Sequence, residues 1–165
     1  LISIILVVTY PFMKRITHWP QLFLGITFNW GVIMGWTSVS ESLSPVIFMI
    51  YLTSILWTLG YDTVYGYQDI VDDKIIGIKS TAVLFEKNPK TAIYTFYIIS
   101  FLLMFMAMIW IGSSYKTFLV FLCAVMLGIV LLGKLNLREV QSCATFVSAN
   151  NYIGFLVVLA LALSI

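Results

Sequence analysis

The chain has 165 residues, of which 61% are hydrophobic and only 10% charged, with a mean hydropathy of +1.03 and a formal net charge of +2. Soluble domains carry about 25% charged residues, so this composition excludes a soluble enzyme or a nucleic-acid binder and describes an integral membrane protein. Two cysteines, Cys123 and Cys143, without CxxC spacing, exclude a disulfide framework and read as inert packing residues, the first in a span and the second in a polar loop.

Apolar windows run over 1–13, 21–38, 43–59, 91–111, 118–132 and 151–165. Several reach the ~17–25 residues that cross a bilayer as a helix, and they lack the in-out alternation of barrel strands. The expected fold is all-α, a polytopic transmembrane helical bundle of five complete or near-complete spans plus one truncated at the start, in a single membrane domain over 1–165. Leu1 opens inside an apolar run with no initiator Met, basic region or cleavage site, so the chain is expected to be N-terminally incomplete. Pro11 and Pro20 bracket a first basic loop holding Lys14 and Arg15, residues 40–45 make a short turn, and Asn88-Pro89 restarts a helix. Lys74, Lys79, Lys87 and Lys90 follow the third span, and Lys134 and Arg138 the fifth, so only Lys116 among the basic residues falls on the other side, with Glu41. The positive-inside rule makes the basic side cytoplasmic, or the matrix in a mitochondrial protein.

Residues 61–82, YDTVYGYQDIVDDKIIGIKSTA, are the longest polar interruption of the chain. Asp62, Asp69 and Asp73 fall seven and four residues apart, so on one helix they share a face with Tyr65 and Gly66 between them. Carboxylates one turn apart suit Mg²⁺, a hard ion that keeps waters and completes its shell with substrate phosphate oxygens, so the expected ligand is a diphosphate. Asp62 stands deepest, beside an apolar span, where an unpaired charge is costly; it reads as an aid to the metal or as a helix-end residue. Asp72 points about 100° away from Asp73 and reads as solvated or paired with Lys74. Ser80 and Thr81 either donate to phosphate or cap the next helix. Lys79 is a candidate for neutralising a diphosphate, and Arg15, with Lys14 beside it, for gripping a carboxylate in bidentate geometry. Both have the alternative of marking topology alone. His18, with no second His or Cys at ligand spacing, reads as an interfacial neighbour of Trp19. Tyr61, Tyr65 and Asn29 are candidates for lining a reacting centre, with Tyr65 the first choice, and Asn150 and Asn151 for hydrogen bonds near it.

The run 61–82 closely resembles the second aspartate-rich motif of UbiA-type intramembrane prenyltransferases. Its YDTxY start and GIKSTA finish resemble the 4-hydroxybenzoate branch of that family, which serves ubiquinone biosynthesis. YPFMKRITHWPQLFLG over 10–25 resembles the basic loop entering the family's fifth helix, and NNYIG over 150–154 the segment opening its last. The resemblance covers essentially the whole chain and implies helices four to nine of a nine-helix fold. The family's first aspartate-rich motif, of the NDxxDxxxD kind, has no counterpart within these residues.

The resemblance further implies a Mg²⁺-dependent transfer of a polyprenyl group from polyprenyl diphosphate to the ring of 4-hydroxybenzoate, in a bacterial inner membrane or, alternatively, the mitochondrial inner membrane. Asp69 and Asp73, aided by Asp62, would hold Mg²⁺; Lys79 would face the leaving diphosphate and Arg15 the acceptor carboxylate; Lys14, Tyr65, Ser80 and Asn150 would contact substrate. Where many members carry a basic residue two places before Asn150, this chain has Ser148, a departure from the family pattern at a position where the resemblance would imply a phosphate contact. The alternatives are a relative acting on another aromatic acceptor, such as homogentisate or dihydroxynaphthoate, a non-catalytic fragment lacking the first motif, and a transporter. The last would place charges along the middle of its spans, whereas here they cluster in loops and at span ends.

Overall fold

Apolar runs of this length have no water to satisfy their backbone and must bond it internally, so helices are the required answer. The computed structural model describes residues 2–163. Leu1, Ser164 and Ile165, which bound the first and last apolar windows, lie outside the described residues. In chain order the helices are α1 (Ile2–Ile16), α2 (Pro20–Phe28), α3 (Trp30–Val39), α4 (Pro45–Gly66), α5 (Ile70–Ile76), α6 (Thr81–Leu84), α7 (Pro89–Trp110), α8 (Tyr115–Lys134) and α9 (Val140–Ala162). Five stretches are long and apolar enough to cross a membrane: Pro20–Val39, Pro45–Gly66, Pro89–Trp110, Tyr115–Lys134 and Val140–Ala162.

Starts and stops follow local chemistry. Pro20, Pro45 and Pro89 each stand at the first helical turn, where a missing N–H costs nothing. Ser44 caps α4 by accepting from the Val46 N–H, and Gly77, at φ 79°, closes α5 in a left-handed conformation that a side chain would resist. The second span is broken between α2 and α3 at Asn29, whose side-chain Nδ2 donates to the Gly25 carbonyl (2.8 Å), the Ser54 carbonyl (3.2 Å) and Thr58 Oγ1 (2.9 Å). That amide therefore ties the break to α4.

Three boundaries differ from the sequence expectation. Pro11 lies inside α1, so Lys14 and Arg15 occupy the last helical turn and not a loop; a membrane helix tolerates an internal proline when its surroundings satisfy the freed backbone groups. α4 runs past residue 59 to Gly66 and carries Asp62 and Tyr65 with it. α9 begins at Val140, well before 151, which places Cys143 within a helix and buried, not in a polar loop. The polar start of α9 is amphipathic: Gln141, Thr145 and Ser148 stay exposed while Cys143, Phe146, Asn150 and Ile153 form one buried stripe at helical spacing.

α4 is the hub, packing on α7, α2, α9, α3 and α6, while α8 packs mainly on α9 and only lightly on its chain neighbour α7. Small residues let these helices approach, as is usual where lipid gives no hydrophobic drive for association. A Cβ at Gly60 would meet the Tyr97 ring at 2.7 Å, and one at Gly154 the Trp57 ring at 2.7 Å. The main core gathers Val64, Ile93, Tyr97, Ala124, Phe146 and Ile153, and a second cluster holds Met104, Met108, Phe121 and Ala160. Outward-facing Leu102, Met106, Leu122, Met126, Phe155 and Val158 form the apolar surface that lipid would cover.

Candidate functional site

The acidic residues are not on one helix. α4 ends at Gly66, Tyr67 to Asp69 form a junction, and α5 starts at Ile70. The shared face expected from spacing on a continuous helix is therefore replaced by a bend, yet the bend brings Asp62, Asp69 and Asp73 around one hollow of about 100 Å³. α1 contributes Tyr10 and Lys14, α2 contributes Pro20 and Gln21, α4 adds Tyr65 and Gly66, and Ser80 closes the far side.

Local geometry leaves the carboxylates available. Asp69 occupies the N-cap position of α5, and its backbone carbonyl accepts from the Asp73 N–H at 2.8 Å, but its side chain makes no cap hydrogen bond. Among the described residues the ion pair is Lys74 with Glu86, at 2.8 Å. Lys74 thus pairs with Glu86 and not with Asp72, because α5 lies against α6 and brings the two exposed side chains together. Burial pushes the Asp73 carboxyl above the ordinary carboxylate range; Lys14 opposes this, and the neighbouring Asp69 and Asp72 push the same way. Concentrated negative charge with one lysine nearby is a place where a cation is welcome.

The fit to a divalent ion is partial and open. Among the described residues no group of three acidic, histidine or cysteine side chains closes round a single point. What the hollow offers is a half shell of oxygen donors, which suits a Mg²⁺ ion that retains water and takes further oxygens from a phosphate. Two orphaned buried groups, Tyr67 Oη and Gln68 Nε2, stand in the junction immediately before Asp69. Burial, with Glu86 adding to it, pushes the Tyr67 phenol up to about 12, so it remains a donor.

Other expected site residues fall elsewhere. Arg15 is exposed on the last turn of α1 and does not line the hollow; Lys14, one residue earlier and about 100° round the helix, does. Lys79 does not line it either: its backbone N–H donates to the Lys14 carbonyl (2.9 Å) and its ammonium to the Ile16 carbonyl (3.2 Å), fastening the end of α1. Ser80 caps α6, accepting from the Val83 N–H at 3.2 Å, while it also lines the hollow. Thr81 is buried, with its hydroxyl paired to Thr63 Oγ1 at 2.7 Å. Asn150 is 4% exposed and lies inside the helix bundle: Trp57 Nε1 donates to its Oδ1 at 2.9 Å, the Tyr97 hydroxyl donates to the same oxygen, and its Nδ2 donates to the Phe146 carbonyl.

Asn150 lines a second cavity of about 290 Å³ with Asn29, Trp57, Thr58, Tyr61 and Asn151. Trp57 and Gly154 also border a third, apolar cavity of about 260 Å³ walled by residues such as Ile50, Met104, Phe121 and Val157. Along α4, then, charge gives way to amide and aromatic surface and then to hydrocarbon. Sequence reasoning missed Gln21 and Tyr10 in the acidic hollow; the one available signal was a polar glutamine directly after Pro20 at the mouth of an apolar span.

A family model described as the UbiA prenyltransferase family matches residues 1–163. Over 89 residues the chain is 55% identical to the mitochondrial 4-hydroxybenzoate polyprenyltransferase of Rattus norvegicus and 52% identical to those of Homo sapiens and Arabidopsis thaliana. Each match covers 53% of this chain but only 24%, 24% and 22% of the relative, so it spans about a quarter of their length. The apo structure of a UbiA homolog from Aeropyrum pernix K1 superposes with a TM-score of 0.76 at 22% identity, over 97% of this chain and 62% of that one. At that identity the likeness is one of fold.

Proposed function

Because the chain belongs to the UbiA prenyltransferase family, we propose that it serves the transfer of a polyprenyl group from a polyprenyl diphosphate to the ring of 4-hydroxybenzoate. The observation that carries this reading is the gathering of Asp62, Asp69, Asp73 and Lys14 around one hollow at the end of a membrane helix. A diphosphate headgroup needs that charged end, and an isoprenoid tail needs the hydrocarbon-lined cavity further along α4. The names of the similar mammalian and plant proteins support the acceptor. They also favour a mitochondrial membrane, of which the inner one fits the notion of a matrix-facing basic side, over a bacterial one.

The carboxylates Asp69 and Asp73, with Asp62 behind them, would hold Mg²⁺ together with further oxygens from the diphosphate. When bound, the ion draws electron density from the diphosphate and eases departure of the leaving group. Lys14 meets the same anion from α1, and it takes this role in place of Lys79, which acts as a positioning residue by holding the end of α1. Fixed charges in a water-poor site reorganise little as the C–O bond of the donor lengthens. Tyr61 and Tyr65, one turn apart on α4, would offer aromatic rings to positive charge developing on the prenyl carbon. The acceptor's ring carbon ortho to its hydroxyl then bonds to that carbon as the C–O bond to the diphosphate breaks, and the displaced ring proton passes to the released diphosphate or to water.

The test is a competition among acceptors. Full-length protein in membranes, supplied with one prenyl diphosphate and equal amounts of labelled 4-hydroxybenzoate, homogentisate and dihydroxynaphthoate, should label lipid only from 4-hydroxybenzoate. Labelling from either of the others, with 4-hydroxybenzoate ignored, would show the acceptor to be wrongly assigned while leaving the fold and the diphosphate hollow intact.

A further inference from the structure

Gln21 opens the apolar span at the second residue of α2 and is only 5% exposed. Its side-chain oxygen accepts the Thr81 N–H at 3.0 Å. Thr81 stands at the start of α6, where backbone N–H groups have no partner within the helix. This bond fixes the amide's orientation, since an N–H can only meet the oxygen end. The anchor is itself held: Thr81 Oγ1 pairs with Thr63 Oγ1 at 2.7 Å, and Thr63 donates to the Leu59 carbonyl at 2.6 Å. One chain of contacts thus ties α2, α6 and α4 together and aims the other half of the amide.

That other half, Nε2, has no hydrogen-bond partner among the described residues, and Gln21 lines the acidic hollow. It lies against Gly66, where an added Cβ would come within 3.4 Å of it. The residue is buried but lines the hollow, so this free donor is presented to whatever the hollow binds. We propose that Gln21 is a substrate-contact residue whose Nε2 donates a hydrogen bond to an oxyanion of the prenyl diphosphate bound in the hollow. This rests on the diphosphate reading of that hollow. An uncharged donor adds recognition there without joining or repelling the carboxylates, so it discriminates the phosphate oxygens from the cation that the acids attract.

The probe is inorganic pyrophosphate with Mg²⁺, titrated into full-length protein, beside a separate titration with 4-hydroxybenzoate. Gln21→Glu keeps the oxygen that Thr81 needs and loses the donor; Gln21→Met has similar length and neither polar group. Both should weaken pyrophosphate binding by about tenfold or more, as expected for a lost hydrogen bond to a charged group, with 4-hydroxybenzoate affinity unchanged and the melting temperature of Gln21→Glu equal to wild type. Wild-type affinity in either variant overturns the proposal. Equal losses for both ligands, accompanied by a lowered melting temperature in both variants, overturn it as well by making Gln21 structural. Failure of the wild-type protein to bind pyrophosphate removes the diphosphate reading itself, and this inference with it; pyrophosphate binding by wild type separates the two failures.

Discussion

Replacing Asn150 by leucine isolates the polar clamp at the centre of the bundle. Asn150 Oδ1 accepts from both Trp57 Nε1 and the Tyr97 hydroxyl, and Tyr97 is 1% exposed. Leucine has the same number and branching of side-chain heavy atoms, so the packing is broadly kept, but two donors lose their acceptor. Interhelical hydrogen bonds in membranes average about 0.6 kcal/mol and reach about 1.7, while an orphaned buried donor costs about 1–3 kcal/mol; together these give a loss of about 2–4 kcal/mol. Tyr97→Phe should cost only about 1 kcal/mol, because Asn150 keeps Trp57 as a partner and no group is orphaned on the other side. Unfolding of the purified protein in mixed micelles by increasing SDS, followed by tryptophan fluorescence, measures both. If Asn150→Leu fell within about 0.5 kcal/mol of wild type, the range of an ordinary surface change, or if Tyr97→Phe cost as much as Asn150→Leu, the clamp would not be the source of the stability.

Asp69→Ala should lower prenyl transfer by about a hundredfold or more, the usual scale for losing one charge-stabilising group, and retained turnover would remove Asp69 from the site. Asp73→Asn should be less active yet more stable at neutral pH. Burial raises the Asp73 carboxyl's pKa in the folded protein, so its contribution to stability is present below the ordinary carboxylate value and lost as pH rises through the raised one; melting curves at pH 4 and pH 7 should show the variant's advantage only at the higher pH. Gly154→Ala places a methyl 2.7 Å from the Trp57 ring and should destabilise by about 1–3 kcal/mol, read in the same SDS titration. Single-cysteine labelling at Ser142 and at Glu86 should report the same side of the membrane, and at Ser42 the opposite one; any other pattern would break the topology built on the basic residues.

What was legible in the sequence was whatever depends on composition and short-range chemistry. Long apolar runs gave the helices, and prolines at 20, 45 and 89 marked three starts. The acidic run 61–82 drew attention to Asp62, Asp69, Asp73, Tyr65 and Ser80, and all five line one hollow. The reason offered for their nearness, one continuous helix, is not how it arises: α4 stops at Gly66 and the chain turns before α5. What stayed hidden is set by rotation and long-range contact. Whether Lys14 or Arg15 faces the site depends on how α1 is rolled against α2, and neither spacing nor charge encodes that. Lys79 looked free in sequence because its partners, the carbonyls of residues 14 and 16, lie far back in the chain. Asn150 and Trp57 are separated by 93 residues and meet only because α9 packs on α4. The start of α9 was missed because hydropathy weighs polarity without direction, while the helix hides Cys143 and Phe146 and shows Gln141 and Thr145.

The central claim is that the acidic hollow takes a diphosphate through a divalent cation. Calorimetric titration of the full-length protein with pyrophosphate, with Mg²⁺ and with EDTA in its place, tests this directly, using a variant in which both Asp69 and Asp73 are asparagine as the comparison. The account predicts binding that requires Mg²⁺ and is lost in the double variant. Pyrophosphate bound equally well in EDTA, or by the double variant as by wild type, would contradict it.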